Sequence, residues 1–165
     1  TPLSYLPVGE FVSGIVMGGL IPLACYYVVT GHLEPLMALW ALPTVIGVGL
    51  IMMTNNTCDI EKDIPAGRRT LPVRLGRARA RAAYHGAVVI WIACIVLNVV
   101  AFYTGGALVL PFMLLAVYPQ AKALFSNPLA PQSRIAAMGQ IAGVNITLGA
   151  FYAAAIFAGT LPFCW

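Results

Sequence analysis

Asn55, Asp59 and Asp63 stand four residues apart, so on a helix they project from one face as a ladder with rungs ~6 Å apart. Two carboxylates at that spacing repel each other, and a bound cation reverses the sign of their interaction. Carboxylate oxygens are hard ligands suited to Mg²⁺, which takes one or two of them, keeps several waters and fills its remaining positions with substrate phosphate oxygens. Asp59 and Asp63 are therefore the candidate metal ligands and catalytic residues, with Asn55 beside them as a diphosphate-binding group. Arg68 and Arg69 follow Gly67 and are placed to reach back toward the same pocket, where a guanidinium fork matches phosphate oxygens. Lys62 adds a point charge. Glu61 and Lys62 read equally well as a solvated pair at a helix end, whereas Asp59 and Asp63 are costly to keep at the mouth of an apolar bundle without a partner.

The elements that must hold this cluster are membrane spans. Hydrophobic residues make up 61% of the 165 positions and charged ones 8%, which excludes an ordinary soluble globule. Five runs are long enough to cross about 30 Å of hydrocarbon, near 7–29, 36–57, 83–103, 106–124 and 137–158. The predicted fold class is an all-α membrane protein with about five transmembrane helices. It forms one helical domain over 1–165, with a motif loop at about 58–82.

The net charge of +4 reports topology and not a nucleic-acid partner. The basic residues fall in or beside two loops, from Lys62 to Arg81 and at Lys122 and Arg134. The segments at 30–35 and beyond 159 carry none, so the positive-inside rule predicts that the motif loop is cytoplasmic. Arg74, Arg77, Arg79 and Arg81 read as contacts to anionic lipid headgroups. Cys25, Cys58, Cys94 and Cys164 show no CxxC spacing and predict neither a disulfide nor a metal site. The chain opens on Thr1 without a leader pattern, which fits a fragment or a processed chain.

Within the spans, Gly14 and Gly18 have the GxxxG spacing that lets a neighbouring backbone approach, as do Gly139 and Gly143. Pro22 is expected to kink the first span. Glu10 reads first as a solvated acid at a helix start and second as a side chain that faces the polar pocket. The second span runs without a breaker from Leu50 to Ile64, where Pro65 and Gly67 stop it, and the third begins after the basic strip. Asn98, Gln140 and Asn145 are expected to bond between helices. His32, His85, Trp40, Trp91 and Trp165 are expected at the membrane interfaces.

The run from Asn55-Asn56 through Asp59 and Asp63 to Gly67-Arg68-Arg69-Thr70-Leu71 and Val73-Arg74-Leu75-Gly76 resembles the second aspartate-rich motif of the UbiA superfamily of intramembrane aromatic prenyltransferases. The paired Asn and the Thr-Leu and Val-Arg-Leu-Gly tail are most similar to its 1,4-dihydroxy-2-naphthoate polyprenyltransferase branch, in menaquinone biosynthesis. Gly9-Glu10 and Tyr26-Tyr27 fit that branch more weakly. Cys58 stands where the branch usually has a basic residue, and Ile64-Pro65 replace more polar ones.

The resemblance implies a nine-helix ring, of which this chain is similar to helices five to nine. It implies Mg²⁺ on two aspartate-rich motifs, and the first motif is missing from this sequence. Activity is therefore expected only together with an N-terminal half, on the same or a separate chain. The implied reaction transfers a polyprenyl group from its diphosphate to an aromatic acceptor, in the bilayer of a bacterial plasma membrane. A non-catalytic membrane scaffold that keeps the fold is the alternative. A transporter fragment ranks last, because transporter sites lie near the bilayer midplane.

Overall fold

The computed structural model describes residues 2 and 5–161, and every regular element among them is helical. Five helices are long and apolar enough to cross a bilayer: Gly9–Thr30, Met37–Cys58, Arg77–Phe102, Thr104–Ser126 and Pro131–Gly159. The chain is an integral, multi-pass membrane protein with the number of spans its hydropathy predicts. Cys164 and Trp165 lie outside the described residues.

The first span is compound. It comprises α1 (Gly9–Ser13), a π-helical stretch (Gly14–Leu20) and α2 (Ile21–Thr30). Pro22 sits in the opening turn of α2, so the distortion expected at this proline falls in the turns before it. A proline cannot donate to the carbonyl four residues back, here that of Gly18. The Thr44 hydroxyl donates to that carbonyl at 2.5 Å, so the freed acceptor is satisfied by the next span.

That next span, α3 (Met37–Cys58), is central, packed by the first span, by α6 (Arg77–Phe102) and by α8 (Arg134–Gly159). Gly14 and Gly18 lie directly on its backbone: a Cβ on Gly14 would stand 2.6 Å from the Val45 carbonyl oxygen, and one on Gly18 would strike the Thr44 peptide. Close backbone approach is the expected use of this spacing. Gly18→Ala should therefore destabilise the bundle by about 1–3 kcal/mol, since the neighbour is backbone and cannot rotate away. Thermal unfolding in detergent reads the loss, and an unchanged midpoint would contradict this packing. The second glycine pair differs, because Gly139 has nothing within 4 Å of its Cβ position and Gly143 meets only the Gln120 side chain.

Several expectations are corrected. The second span does not run on to Ile64: α3 ends at Cys58, and a single turn, α4 (Ile60–Asp63), follows. The third span does not wait for the end of the basic strip, because α6 starts at Arg77. The Arg-Ala alternation there is good helix sequence, and Gly76, at φ 74° and ψ 155°, supplies the turn that separates α6 from α5 (Leu71–Leu75). Trp91 is not interfacial; it is buried in the core at 3% exposure and fills the space beside Gly47. Asn98 bonds within its own helix, to the Cys94 carbonyl at 3.0 Å. Asn145 does reach across, to the Gly47 carbonyl at 3.4 Å.

Between α7 (Leu110–Ser126) and α8, the chain turns on Asn127. Its Oδ1 accepts from the Leu129 N–H at 2.9 Å and the Ser133 hydroxyl at 2.7 Å, and its Nδ2 donates to Gln140 at 2.9 Å. Leu129 is fully buried and held at φ 51°, a left-handed conformation that costs a branched side chain about 1–3 kcal/mol. This knot sets the position of Arg134, the first residue of α8.

Candidate functional site

The acidic ladder survives in the backbone and divides in its side chains. Asp59 leaves helical geometry at φ −100° and ψ 12°. The turn-to-turn bonds nonetheless continue, from the Asp59 N–H to the Asn55 carbonyl at 3.1 Å and from the Asp63 N–H to the Asp59 carbonyl at 2.9 Å. Beyond the bend the carboxylates find different cations.

Asn55 and Asp59 share Arg134, whose Nη2 donates to Asn55 Oδ1 at 2.6 Å and whose Nε lies 3.3 Å from Asp59 Oδ2. Asp63, 2% exposed, accepts from Arg68 Nη1 on one oxygen at 2.7 Å and from the Thr70 hydroxyl on the other at 3.3 Å. Gly67, at φ 71°, makes this return possible: the left-handed residue after a helical turn brings the Arg68 N–H onto the Asp63 carbonyl at 3.0 Å. Lys62 stays at the periphery, with its side chain 71% exposed and its Nζ 3.8 Å from Asp59 Oδ1. Arg69 is exposed and bonds the Tyr5 carbonyl through its backbone at 3.1 Å, so its side chain is not gathered with the others.

Glu61 belongs to a different network. Arg77 Nη2 grips both of its oxygens, at 2.7 and 2.6 Å, and that hydrogen bonding holds the Glu61 carboxyl below the ordinary range. Arg77 Nη1 also donates to the Thr57 carbonyl at 2.9 Å and to the Leu129 carbonyl. Arg77 is thus a tie between three segments and not a headgroup contact.

Glu10 departs from the first of its two readings and follows the second. It is 5% exposed, because the first span presses it against α3, where its Oε1 accepts from Asn56 Nδ2 at 2.9 Å. Glu10 Oε2 and Asn56 Oδ1 have no hydrogen-bond partner. Asn56 lines a cavity of about 340 Å³ together with Arg68 and Thr70, the two partners of Asp63. Glu10 lines a second, apolar cavity of about 520 Å³ between the first span, α3 and α6.

Among the described residues, no three His, Cys, Asp or Glu side chains gather as a metal site. The residues nevertheless suit Mg²⁺ in part. Asp59 Oδ1 is a buried carboxylate oxygen without a hydrogen-bond partner, the kind of hard donor that Mg²⁺ takes once or twice per site. Both Asp63 oxygens are occupied by protein donors. Sequence reasoning gave no site role to Arg134 or Thr70 and did not pair Glu10 with Asn56. Arg134 is a lone cation at the head of a span, and nothing in its local pattern points to residues 79 positions away.

The UbiA prenyltransferase family model matches residues 1–144. The chain is similar to the 1,4-dihydroxy-2-naphthoate octaprenyltransferase of Bacillus subtilis, 32% identical over 90% of this chain and 48% of that protein. The protein of the same name from Haemophilus influenzae is 34% identical over 61% of this chain and 30% of its own length. The UbiA prenyltransferase domain-containing protein 1 of Mus musculus is 29% identical over 96% of this chain and 46% of its own length. No solved structure matches. The chain spans about half the length of the Bacillus subtilis and Mus musculus relatives.

Proposed function

This chain belongs to the UbiA prenyltransferase family, and from that premise we propose that it supplies the second aspartate-rich half of an enzyme that transfers a polyprenyl group from its diphosphate to an aromatic acceptor. The acceptor proposed is 1,4-dihydroxy-2-naphthoate, giving a menaquinone precursor at the cytoplasmic face of a bacterial plasma membrane. The observation that carries the reading is the pair of buried carboxylates, Asp59 and Asp63, each set against its own arginine at one end of an apolar bundle.

Asp59 and Asp63 would hold Mg²⁺, and the ion, when bound, supplies positive charge to the leaving diphosphate. Arg68 and Lys62 contribute further positive charge, and Asn55 an amide, to bind that group. Arg69 can join them only by a change of side-chain direction, since it is exposed. The apolar walls of the spans keep water away from the allylic carbon that the acceptor ring attacks.

The test is reconstitution. The chain is combined with a half carrying the first aspartate-rich motif, in membranes, with Mg²⁺, a polyprenyl diphosphate and dihydroxynaphthoate. Prenylated naphthoquinol, together with the diphosphate and the CO₂ lost from the acceptor's carboxylate, should form with both halves and not with this one alone. No product from the completed protein would overturn the proposed reaction, and product from this chain alone would overturn its dependence on a second half.

A further inference from the structure

Resting on the diphosphate reading of the site, we propose that Arg134 is an exchangeable diphosphate ligand: its guanidinium bonds Asn55 and neutralises Asp59, and it passes to a diphosphate oxygen when Mg²⁺ takes Asp59. The sequence places Arg68, Arg69 and Lys62 beside the acids; Arg134 arrives from the opposite side, on the first residue of α8. Its main chain is anchored by the Asn127 knot, in which Asn127 accepts from the Leu129 N–H and the Ser133 hydroxyl. Its side chain remains 41% exposed, so the head group can turn without a change in the fold.

The contacts it makes are those of a group that can leave. Nη2 holds the Asn55 amide oxygen at 2.6 Å, a neutral acceptor that gives up a cation more readily than a carboxylate does. Nε stands 3.3 Å from Asp59 Oδ2 without completing a hydrogen bond, so one donor of the fork is still unspent. Arg77 shows the contrast: its two terminal nitrogens are taken by two carbonyls and both oxygens of Glu61. Asp59 offers Mg²⁺ its Oδ1, which has no hydrogen-bond partner and only the exposed Lys62 ammonium nearby, at 3.8 Å, and an ion bound there repels the guanidinium on Oδ2 at short range. A diphosphate entering with the ion carries the opposite charge, and a planar fork suits its oxygens in pairs. The amino end of the long helix α8 favours the same anion.

This exchange predicts two effects of opposite sign, which a merely structural arginine would not produce. In the complete protein, Mn²⁺ standing in for Mg²⁺ is titrated alone by electron paramagnetic resonance, and inorganic pyrophosphate is titrated calorimetrically in the presence of Mg²⁺. Arg134→Gln should tighten Mn²⁺ binding several-fold, because a competing cation is gone, and weaken pyrophosphate binding about tenfold or more, because a charge-assisted pair of bonds is lost. Arg134→Lys keeps the charge without the fork, so it should leave Mn²⁺ affinity near that of the wild type while still weakening pyrophosphate. Unchanged pyrophosphate affinity in Arg134→Gln, or weaker Mn²⁺ binding, overturns the exchange while leaving the proposed reaction standing. A wild-type protein that binds neither probe overturns both.

Discussion

Replacing Asp59 and Asp63 together by asparagine should abolish prenyl transfer in the completed protein, by at least about 10³-fold. The substitution keeps the size of each side chain and an oxygen that accepts hydrogen bonds. Arg134 retains Asn55, and Arg68 can retain the one carbonyl oxygen left at residue 63, while the Thr70 hydroxyl faces the new amide nitrogen. What is removed is two negative charges, and with them the affinity of this half-site for a divalent ion. Each single substitution should cost nearly as much as the pair, since ligands of one ion act as a unit. Product formation at saturating prenyl diphosphate measures the loss, with Mn²⁺ binding as a readout independent of turnover. Transfer that survives in the double variant would remove both residues from the chemistry.

Arg77→Ala should be the most damaging single change outside the acidic cluster, and its damage should be to stability. Arg77 donates to the Thr57 carbonyl at the end of α3, to the buried Leu129 carbonyl and to both oxygens of Glu61. Removing it strands two main-chain acceptors and leaves Leu129 in a left-handed conformation with fewer restraints. Losing charged hydrogen bonds to partly buried acceptors costs about 2–4 kcal/mol, or roughly 5–10 °C in a chain of this size. Glu61→Gln should cost far less, because Glu61 is largely exposed and an exposed pair contributes under about 1 kcal/mol. Thermal unfolding in detergent separates the two variants. Equal midpoints would mean that the carbonyl bonds contribute nothing.

The spans were legible because hydrocarbon imposes its length on any helix that crosses it, and composition reports that directly. Glycine spacing at Gly14 and Gly18 was legible for a similar reason: only a missing side chain admits a neighbouring backbone so close. The site was legible in its residue types and not in its pairings. Spacing put Asn55, Asp59 and Asp63 on one ladder, but the bend at Asp59 and the return at Gly67 depend on tertiary partners. The same holds for Glu10. A local rule about helix starts expects solvent around it, and the close approach of Gly14 to α3 places it against Asn56 instead. Arg77 and Trp91 were misread in opposite senses. A basic strip masked one arginine with a buried task, and a general preference of tryptophan for interfaces masked a packing role.

The π-helical stretch Gly14–Leu20 has a consequence for which side chains of the first span meet α3. Each residue of an α-helix advances about 100° around its axis, and a wider turn shifts the angular register of everything before it relative to everything after. Glu10, which precedes the stretch, meets Asn56 in this register. Deleting any one residue from the stretch would let the span close into regular helix and swing Glu10 by roughly 100°, carrying a carboxylate out of its amide contact toward lipid. Away from Gly14 and Gly18, which lie on the α3 backbone, the stretch therefore tolerates substitution far better than it tolerates a change in its length.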